Sequence, residues 1–430
     1  MASPAITAVS LPPSHPLRER LAAEVHARPY ELLTAPVRAS HLALVTGEAL
    51  RDADRLALDA LCARFGVAAP PAGANYFSLE SGPFRLRWER HTEFSTYTLF
   101  RFEPFDDPFA ATALDLAPPD WLAGLPGELL VGLHLAIETV ERPGAALAAL
   151  FDGNQVIGSQ VMGGAARAWT DCRIHGDGFG RVLVRDQGLT LGQAGRLVQR
   201  LLEIETYRMM ALLAFPVAGQ AAVGISRIEA GLGGVVERMA APAGGDDRAL
   251  LEELMRLAAE SEALTAASAY RFSAARAYWD IVRRRVEELR EERIAGTQTI
   301  AEFMDRRLAP AMATAQWTAE RQTALATRVV RTGDLLRTRV DIALEEKNRD
   351  LLASMNRRAE LQLRLQETVE GLSVVAISYY LIGLVGYAAK GLKAAGVPVD
   401  AEIAALVSLP IILGAVWAGT RRLRRAVGKH

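Results

Sequence analysis

The sequence predicts an α+β cytoplasmic domain with a mostly antiparallel sheet, followed by a long helical stalk and two C-terminal transmembrane helices. Three observations predict it. Strand-like runs alternate with helical ones over the first 190 residues, a three-four apolar stripe follows, and two uncharged runs close the chain. With 430 residues, half of them hydrophobic and 23% charged, there is enough apolar material for two or three cores, which excludes wholesale disorder. A formal net charge of -1 supplies no global field for nucleic acid, so no nucleic-acid partner is expected.

Period-two runs mark strands at Ala39 to Thr46, Tyr76 to Leu79, Phe84 to Glu89, Tyr97 to Phe102, Leu129 to Ile137, Gln155 to Met162 and Arg181 to Arg185. Helical patterns cover Leu17 to Ala27 and Arg51 to Phe65. A further helix, Leu191 to Leu213, closes the domain and stops at Pro216. Residues 1–215 are therefore read as the α+β domain. Residues 216–247 are read as a Gly/Pro-rich connection, because Gly219, Gly224, Gly231, Gly233 and Gly234 interrupt the periodicity before Pro242.

Residues 248–370 read as a helical bundle and stalk. Asp246 or Asp247 caps a helix carrying Leu250, Leu254 and Leu257. A charged helix runs from Tyr278 to Arg307, ended by Pro310, and a third begins near Ala311. Val340, Leu344, Leu351, Met355, Leu365, Val369 and Leu372 keep near three-four spacing, although Lys347, Arg358 and Gln362 interrupt it, so it is not a clean coiled coil.

Residues 371–389 and 403–420 are uncharged over nearly the length a helix needs to cross hydrocarbon. Arg357, Arg358 and Arg364 precede the first, and Arg421, Arg422, Arg424, Arg425 and Lys429 follow the second, as a basic tail over 421–430. The loop 390–402 carries Lys390 and Lys393. The positive-inside bias places both termini in the cytoplasm, the loop outside and the lipid bilayer as a partner. Small residues on the first span, Gly371, Ala376, Ser378, Gly383 and Gly386, suit close helix approach, from which a homo-oligomer is expected. The N-terminal residues lack a charged start followed by an apolar core, so no secretory signal is read there. Cys62 and Cys172 lie in no metal-spaced pair and read as buried thiols in a reducing compartment.

Two polar constellations are candidates for a divalent metal. Glu89, His91 and Glu93 alternate as on one strand face, and Asp171, His175 and Asp177 cluster with Arg173 and Arg181 on a Gly-rich turn. A solvent-facing strand and an ordinary hairpin turn explain the same residues, and the more so because no dinucleotide fingerprint or P-loop is present. Arg196, Gln199, Arg200, Glu203 and Tyr207 share one helix face and read as a structural network. His15 and His26 flank a short helix, too far apart for one metal.

Long polar strings carry a family resemblance. His15-Pro16-Leu17-Arg18, Glu24 to Pro29, Trp88 to Ser95, Asp171 to Arg181 and Gln199 to Leu213 resemble the bacterial membrane-anchored domain-of-unknown-function family 3422. That resemblance implies attachment to the bacterial inner membrane and no particular reaction. In order of parts alone the chain is similar to CorA-type divalent-cation channels, whose stalk helix becomes the first span of a homo-pentamer. Those channels end that span with Gly-Met-Asn, where this sequence reads Gly386-Tyr387-Ala388-Ala389-Lys390. A lysine at the mouth opposes cation entry, with Asp400 and Glu402 as the nearest offsets. Three functions are therefore carried forward: an oligomeric scaffold or regulatory protein with a protein partner, a CorA-like channel or transporter, and a membrane-anchored metal-dependent enzyme.

Overall fold

A computed structural model describes residues 12–19, 21–22, 29–241 and 246–427. The expected helix Leu17 to Ala27, His26 and the string Glu24 to Arg28 fall partly or wholly outside these residues. The chain divides into a compact unit up to Thr332 and a second from Gly333 onward.

The first unit is built on a nine-stranded sheet in the order β2-β3-β4-β1-β5-β8-β7-β6-β9. Its strands are β1 (Val37–Val45), β2 (Tyr76–Glu80), β3 (Arg85–Arg90), β4 (Phe94–Arg101), β5 (Glu128–Glu138), β6 (Ile157–Val161), β7 (Ala166–Thr170), β8 (Gly180–Asp186) and β9 (Glu292–Arg293). The sheet is mixed, in place of the mostly antiparallel one expected. β5 and β8 run in parallel, with Leu133 opposite Gly180, because the chain leaves β5, forms the β6–β7 hairpin and returns to add β8 beside β5. The expected strands are all present, with ends shifted by at most three residues. β7 and β9, of five and two residues, are strands that the sequence reading does not include. β9 exists only because residues 292–293 pair with Ser159 and Gln160 on β6.

Both faces of the central strands are covered, so β1 and β4 are buried along almost their whole length. On one face lies α1 (Arg51–Phe65), with Leu58, Leu61 and Cys62 packing on Leu86, Trp88, Tyr97 and Leu99. Trp121 of α2 (Pro119–Ala123) joins them. α3 (Gly144–Ala149) follows β5. On the other face lies α4 (Leu191–Leu212), opened by a capping box in which Thr190 accepts from the Gln193 N–H. Val198, Leu201 and Leu202 of α4 pack on Ala39, Phe94, Phe100 and Leu135. At Gly195 the helix meets the Glu31 carbonyl so closely that no Cβ fits, which is why a glycine sits inside this helix.

Most of the stretch read as a Gly/Pro-rich connection is helical, in α5 (Ala214–Ala240). Pro216 stands in its first turn, where a missing N–H is harmless. Gly224 and Gly231 lie against Leu264 and Leu257 of α6 (Asp247–Leu289), where an added Cβ would crowd those leucines. The glycines thus serve close helix packing. Asp246 caps α6 by accepting from the Ala249 N–H, as expected. The charged helix expected to reach Arg307 breaks instead at Arg290, which has φ 51°, and resumes as α7 (Ile300–Arg307).

α8 runs from Ala309 to Ala394 and α9 from Ala401 to Val427, with Pro410 inside it. In the second unit most large apolar residues are exposed, Leu372, Tyr379, Leu384, Tyr387, Leu406 and Ile411 among them, while Ser378 and Ala389 are buried. Among the described residues three helical stretches, not two, are long and apolar enough to cross a membrane: Leu191–Ala240, Ile300–Ala394 and Ala401–Arg422. The additional one is α4 with α5. Its apolar side chains belong to the clusters that pack on the sheet and on α6, and its most apolar window is 33% buried, against 11% and 0% in the other two.

Candidate functional site

Under α4 the sheet presents a polar patch where a helix and sheet normally meet through apolar side chains. Strand alternation puts it there. Arg87 and Glu89 on β3, Thr96 and Thr98 on β4 and His41 on β1 all point toward α4, while their neighbours Leu86, Trp88, Tyr97 and Leu42 point toward α1. α4 contributes Gln199, Glu203 and Thr206, and α6 contributes Arg285. Between them lies a cavity of about 250 Å³. A neighbouring cavity of about 420 Å³, lined by Arg51, Asn75 and Arg90, shares His91, Phe94 and Tyr207 with it.

Several lining groups are already engaged. His41 Nδ1 lies 2.8 Å from Thr98 Oγ1 and its Nε2 lies 3.0 Å from Thr206 Oγ1. Arg285 pairs with Glu203 and Glu288, and Gln199 donates to Glu203 at 2.7 Å. Arg87 donates through Nη2 to Glu89 at 2.9 Å. Arg87 and Thr96 are 5% and 4% exposed, and among the described residues Arg87 Nε and Thr96 Oγ1 have no hydrogen-bond partner. Each such buried orphan costs about 1–3 kcal/mol.

Burial pushes the His41 imidazole down to about 3, helped by the Arg87 charge, and burial pushes His134 down to about 4. His134 lies on the opposite face, stacked on Phe179 at 4.3 Å and bonded to Ser40. Both imidazoles are therefore neutral in the folded protein at pH values where an unfolded histidine, near 6.5, gains a proton. The unfolded chain binds more protons below pH 6.5, so acid removes stability until the folded values are reached. The slope is up to about 1.4 kcal/mol per pH unit for each histidine. Urea midpoints should fall from pH 7 to pH 4.5, and His41→Gln should flatten part of that fall. An unchanged slope in the variant would exclude His41 as a contributor.

The expected metal constellations are arranged differently. β3 ends at Arg90, and His91 to Glu93 turn into β4 through a His91 N–H to Phe94 carbonyl bond of 2.8 Å. The three residues therefore do not share a strand face. Glu89 faces Arg87 in the cavity, and His91 stacks on Phe94 at 4.3 Å. Glu93 turns to α6, where Arg271 grips both its oxygens at 3.1 and 2.6 Å and the Tyr278 hydroxyl donates at 2.7 Å.

The second constellation forms the β7–β8 loop, away from the cavity lining. His175 stands between Asp152 at 2.7 Å and Asp171 at 3.1 Å, Asn154 donates to Asp171, and Asp177 receives the Phe179 N–H in a turn where Gly178 has φ +86°. Arg181 bonds the Leu150 carbonyl and Asp152, and Arg173 is exposed. Among the described residues, no group of three or more His, Cys, Asp or Glu side chains is placed to hold a metal ion. Within this loop, burial pushes the Cys172 thiol up to about 12, which makes it a poor nucleophile at neutral pH.

Sequence reasoning missed His41, Arg87, Thr96 and Arg285 as parts of one site. The available signal was a charged residue and two threonines inside strands flanked by large apolar residues. The α4 face of Gln199, Glu203 and Tyr207 was read as a structural network. Arg200 does pair with Glu288, while Gln199, Glu203 and Tyr207 also form a cavity wall.

The family model described as protein of unknown function (DUF3422) matches residues 13–427. The chain belongs to that family. No curated protein and no solved structure matches it, and the likeness to CorA-type channels in order of parts gains no support from the comparisons. The family match covers both the sheet domain with its cavity and the two C-terminal apolar helices.

Proposed function

We propose that this protein is a membrane-tethered regulatory protein whose sheet domain binds a small ligand in the cavity between α4 and strands β1, β3 and β4. The observation that carries the binding part is the cavity itself, about 250 Å³ between a helix and a sheet, walled by Arg87, Glu89, His91, Thr96 and Glu203 where apolar packing is the rule. Binding is favoured over catalysis because the lining groups suited to acid-base work are held by partners. His41 has both ring nitrogens bonded, and Glu203 is tied to Arg285 and Gln199.

The tether is residues 371–389 and 403–420, most of whose large apolar side chains are exposed. In this reading the α4–α5 stretch belongs to the soluble body, since its apolar residues pack on the sheet and α6. Both termini lie in the cytoplasm of a bacterium, with the short loop across the inner membrane, and the protein assembles as a homo-oligomer through the small residues of the first span.

The full chain should remain in the membrane pellet after an alkaline carbonate wash, and a chain ending at Glu370 should move to the soluble fraction. A truncated chain still held in the pellet would overturn the assignment of the tether. Ligand binding is tested separately: protein purified in detergent, then denatured and extracted, should release a small molecule in a fixed ratio, and Val198→Phe should reduce that ratio.

A further inference from the structure

One face of α8 keeps a constant spacing from the stalk into the membrane and stays exposed throughout. Leu344, Leu351, Leu365 and Leu372 recur in a seven-residue frame, and Met355 and Val369 stand four residues after Leu351 and Leu365. These six side chains are between 56% and 74% exposed. Carried on, the same frame passes through Ala376, Tyr379 and Gly383 of the first span, and α8 is unbroken across the whole stretch. The residues of the span that the chain does cover lie elsewhere. Ser378 and Ala389 are buried and Val374, Ile382 and Val385 half-buried, on a face about a third of a turn away. The seam is left for another molecule.

A second copy of this chain matches it. Copies anchored by the same span lie at one depth and run in one direction, so like residues meet across the seam. With the flanking Leu352 and Leu361, the stalk part offers on the order of 800 Å² per copy, the size of a standard protein interface. In the span, Ala376 and Gly383 let two helices approach closely. The polar residues in the seam set the number of copies. Asn348 and Gln362 stand at positions where paired amides fix the register, and Arg358 takes the place of a seam leucine. A two-stranded coil is open to water along its margins, and the long arginine stem lets the guanidinium reach it. A ring of five copies would enclose the seam and bury like charges together.

We propose that α8 forms a parallel, in-register, two-stranded coiled coil with a second copy of this chain, continuous from Leu344 in the stalk to Gly383 in the span. The proposal rests on the reading of residues 371–389 as the membrane span of an oligomer. It adds the contact surface, its register and the number of copies.

Cysteine cross-linking of the full chain in membranes tests it. Under mild oxidation Leu351→Cys and Leu365→Cys should give a band at twice the mass of the chain. That band should be several-fold stronger than for Ala353→Cys and Glu367→Cys, on the opposite side of the helix. The unsubstituted chain, whose Cys62 is buried and Cys172 half-buried, gives the baseline. Equal yields on the two sides would overturn the seam, and a ladder of higher bands would overturn the number of copies. Leu351→Glu combined with Leu365→Glu should convert the detergent-solubilised protein from two copies to one. Both leucines are exposed within the chain, so its own packing is untouched. Pairs that persist in this variant would overturn the stalk contact. The tether is scored separately, in the carbonate-washed pellet. A chain that stays there without cross-linking at Leu351 or Leu365 overturns the coil and leaves the tether standing, and a chain released from it overturns both.

Discussion

Asp54→Ala is expected to lower the unfolding free energy by about 3–5 kcal/mol, the range for breaking a buried ion pair by removing one partner. Asp54 belongs to the first turn of α1, and its side chain is fully buried. It accepts from the Tyr97 hydroxyl at 2.6 Å, from Ser95 Oγ at 2.8 Å and from Arg90 Nη2 at 3.2 Å. Alanine leaves the phenol and the serine hydroxyl buried without this acceptor and removes the carboxylate facing Arg90, whose side chain is mostly buried. Asp54→Asn should lose less, because the amide oxygen still accepts from the hydroxyls. Urea unfolding followed by tryptophan fluorescence reads this region directly, since Trp88 and Trp121 lie in the same cluster. A loss under about 1 kcal/mol would show that the network does not hold α1 to the sheet.

Glu93→Ala is expected to have an effect of similar size for a different element. Glu93 is 7% exposed and joins the β3–β4 turn to α6 through Arg271 and Tyr278. Burial, then the hydrogen bond to Glu93 and that carboxylate's charge, raise the Tyr278 phenol well above its ordinary range, so it remains a donor to that carboxylate. Removing the carboxylate strands the Arg271 fork and should cost about 3–5 kcal/mol, with faster amide exchange in α6 around Arg271 to Tyr278. Because Phe94 and Tyr278 line the neighbouring cavity, the variant should also weaken whatever binds beneath α4. The cycle with Arg271→Ala should show coupling, and additive effects would place Glu93 outside this pair.

Much of the candidate site was present in the sequence as fragments without an address. Glu89 and His91 stood out as polar residues near strand alternation, and the spacing of Gln199, Glu203 and Tyr207 put them on one helix face. Their meeting depends on contacts across long separations. β1 lies between β4 and β5, α4 crosses the sheet opposite α1, and Arg285 arrives from α6. The same long-range order draws Glu93 away from Glu89 and His91, because a four-residue turn aims it at Arg271.

The sequence by itself determined what depends on local periodicity and composition. These are the helix over Arg51 to Phe65, the alternating strands, a cap at Asp246 or Asp247, and two uncharged runs long enough to cross a bilayer. It also carried the family, because long polar strings survive as strings. Tertiary structure decided the parallel β5–β8 pairing, the strand β9, the helical fate of the Gly-rich stretch, and the cavity. Each of these is set by what a segment packs against: two residues become a strand only beside β6, and Gly224 and Gly231 stay helical because α6 needs the space a side chain would fill. Local propensity is worth a few tenths to about 1 kcal/mol per residue, and burial against a partner element outweighs it.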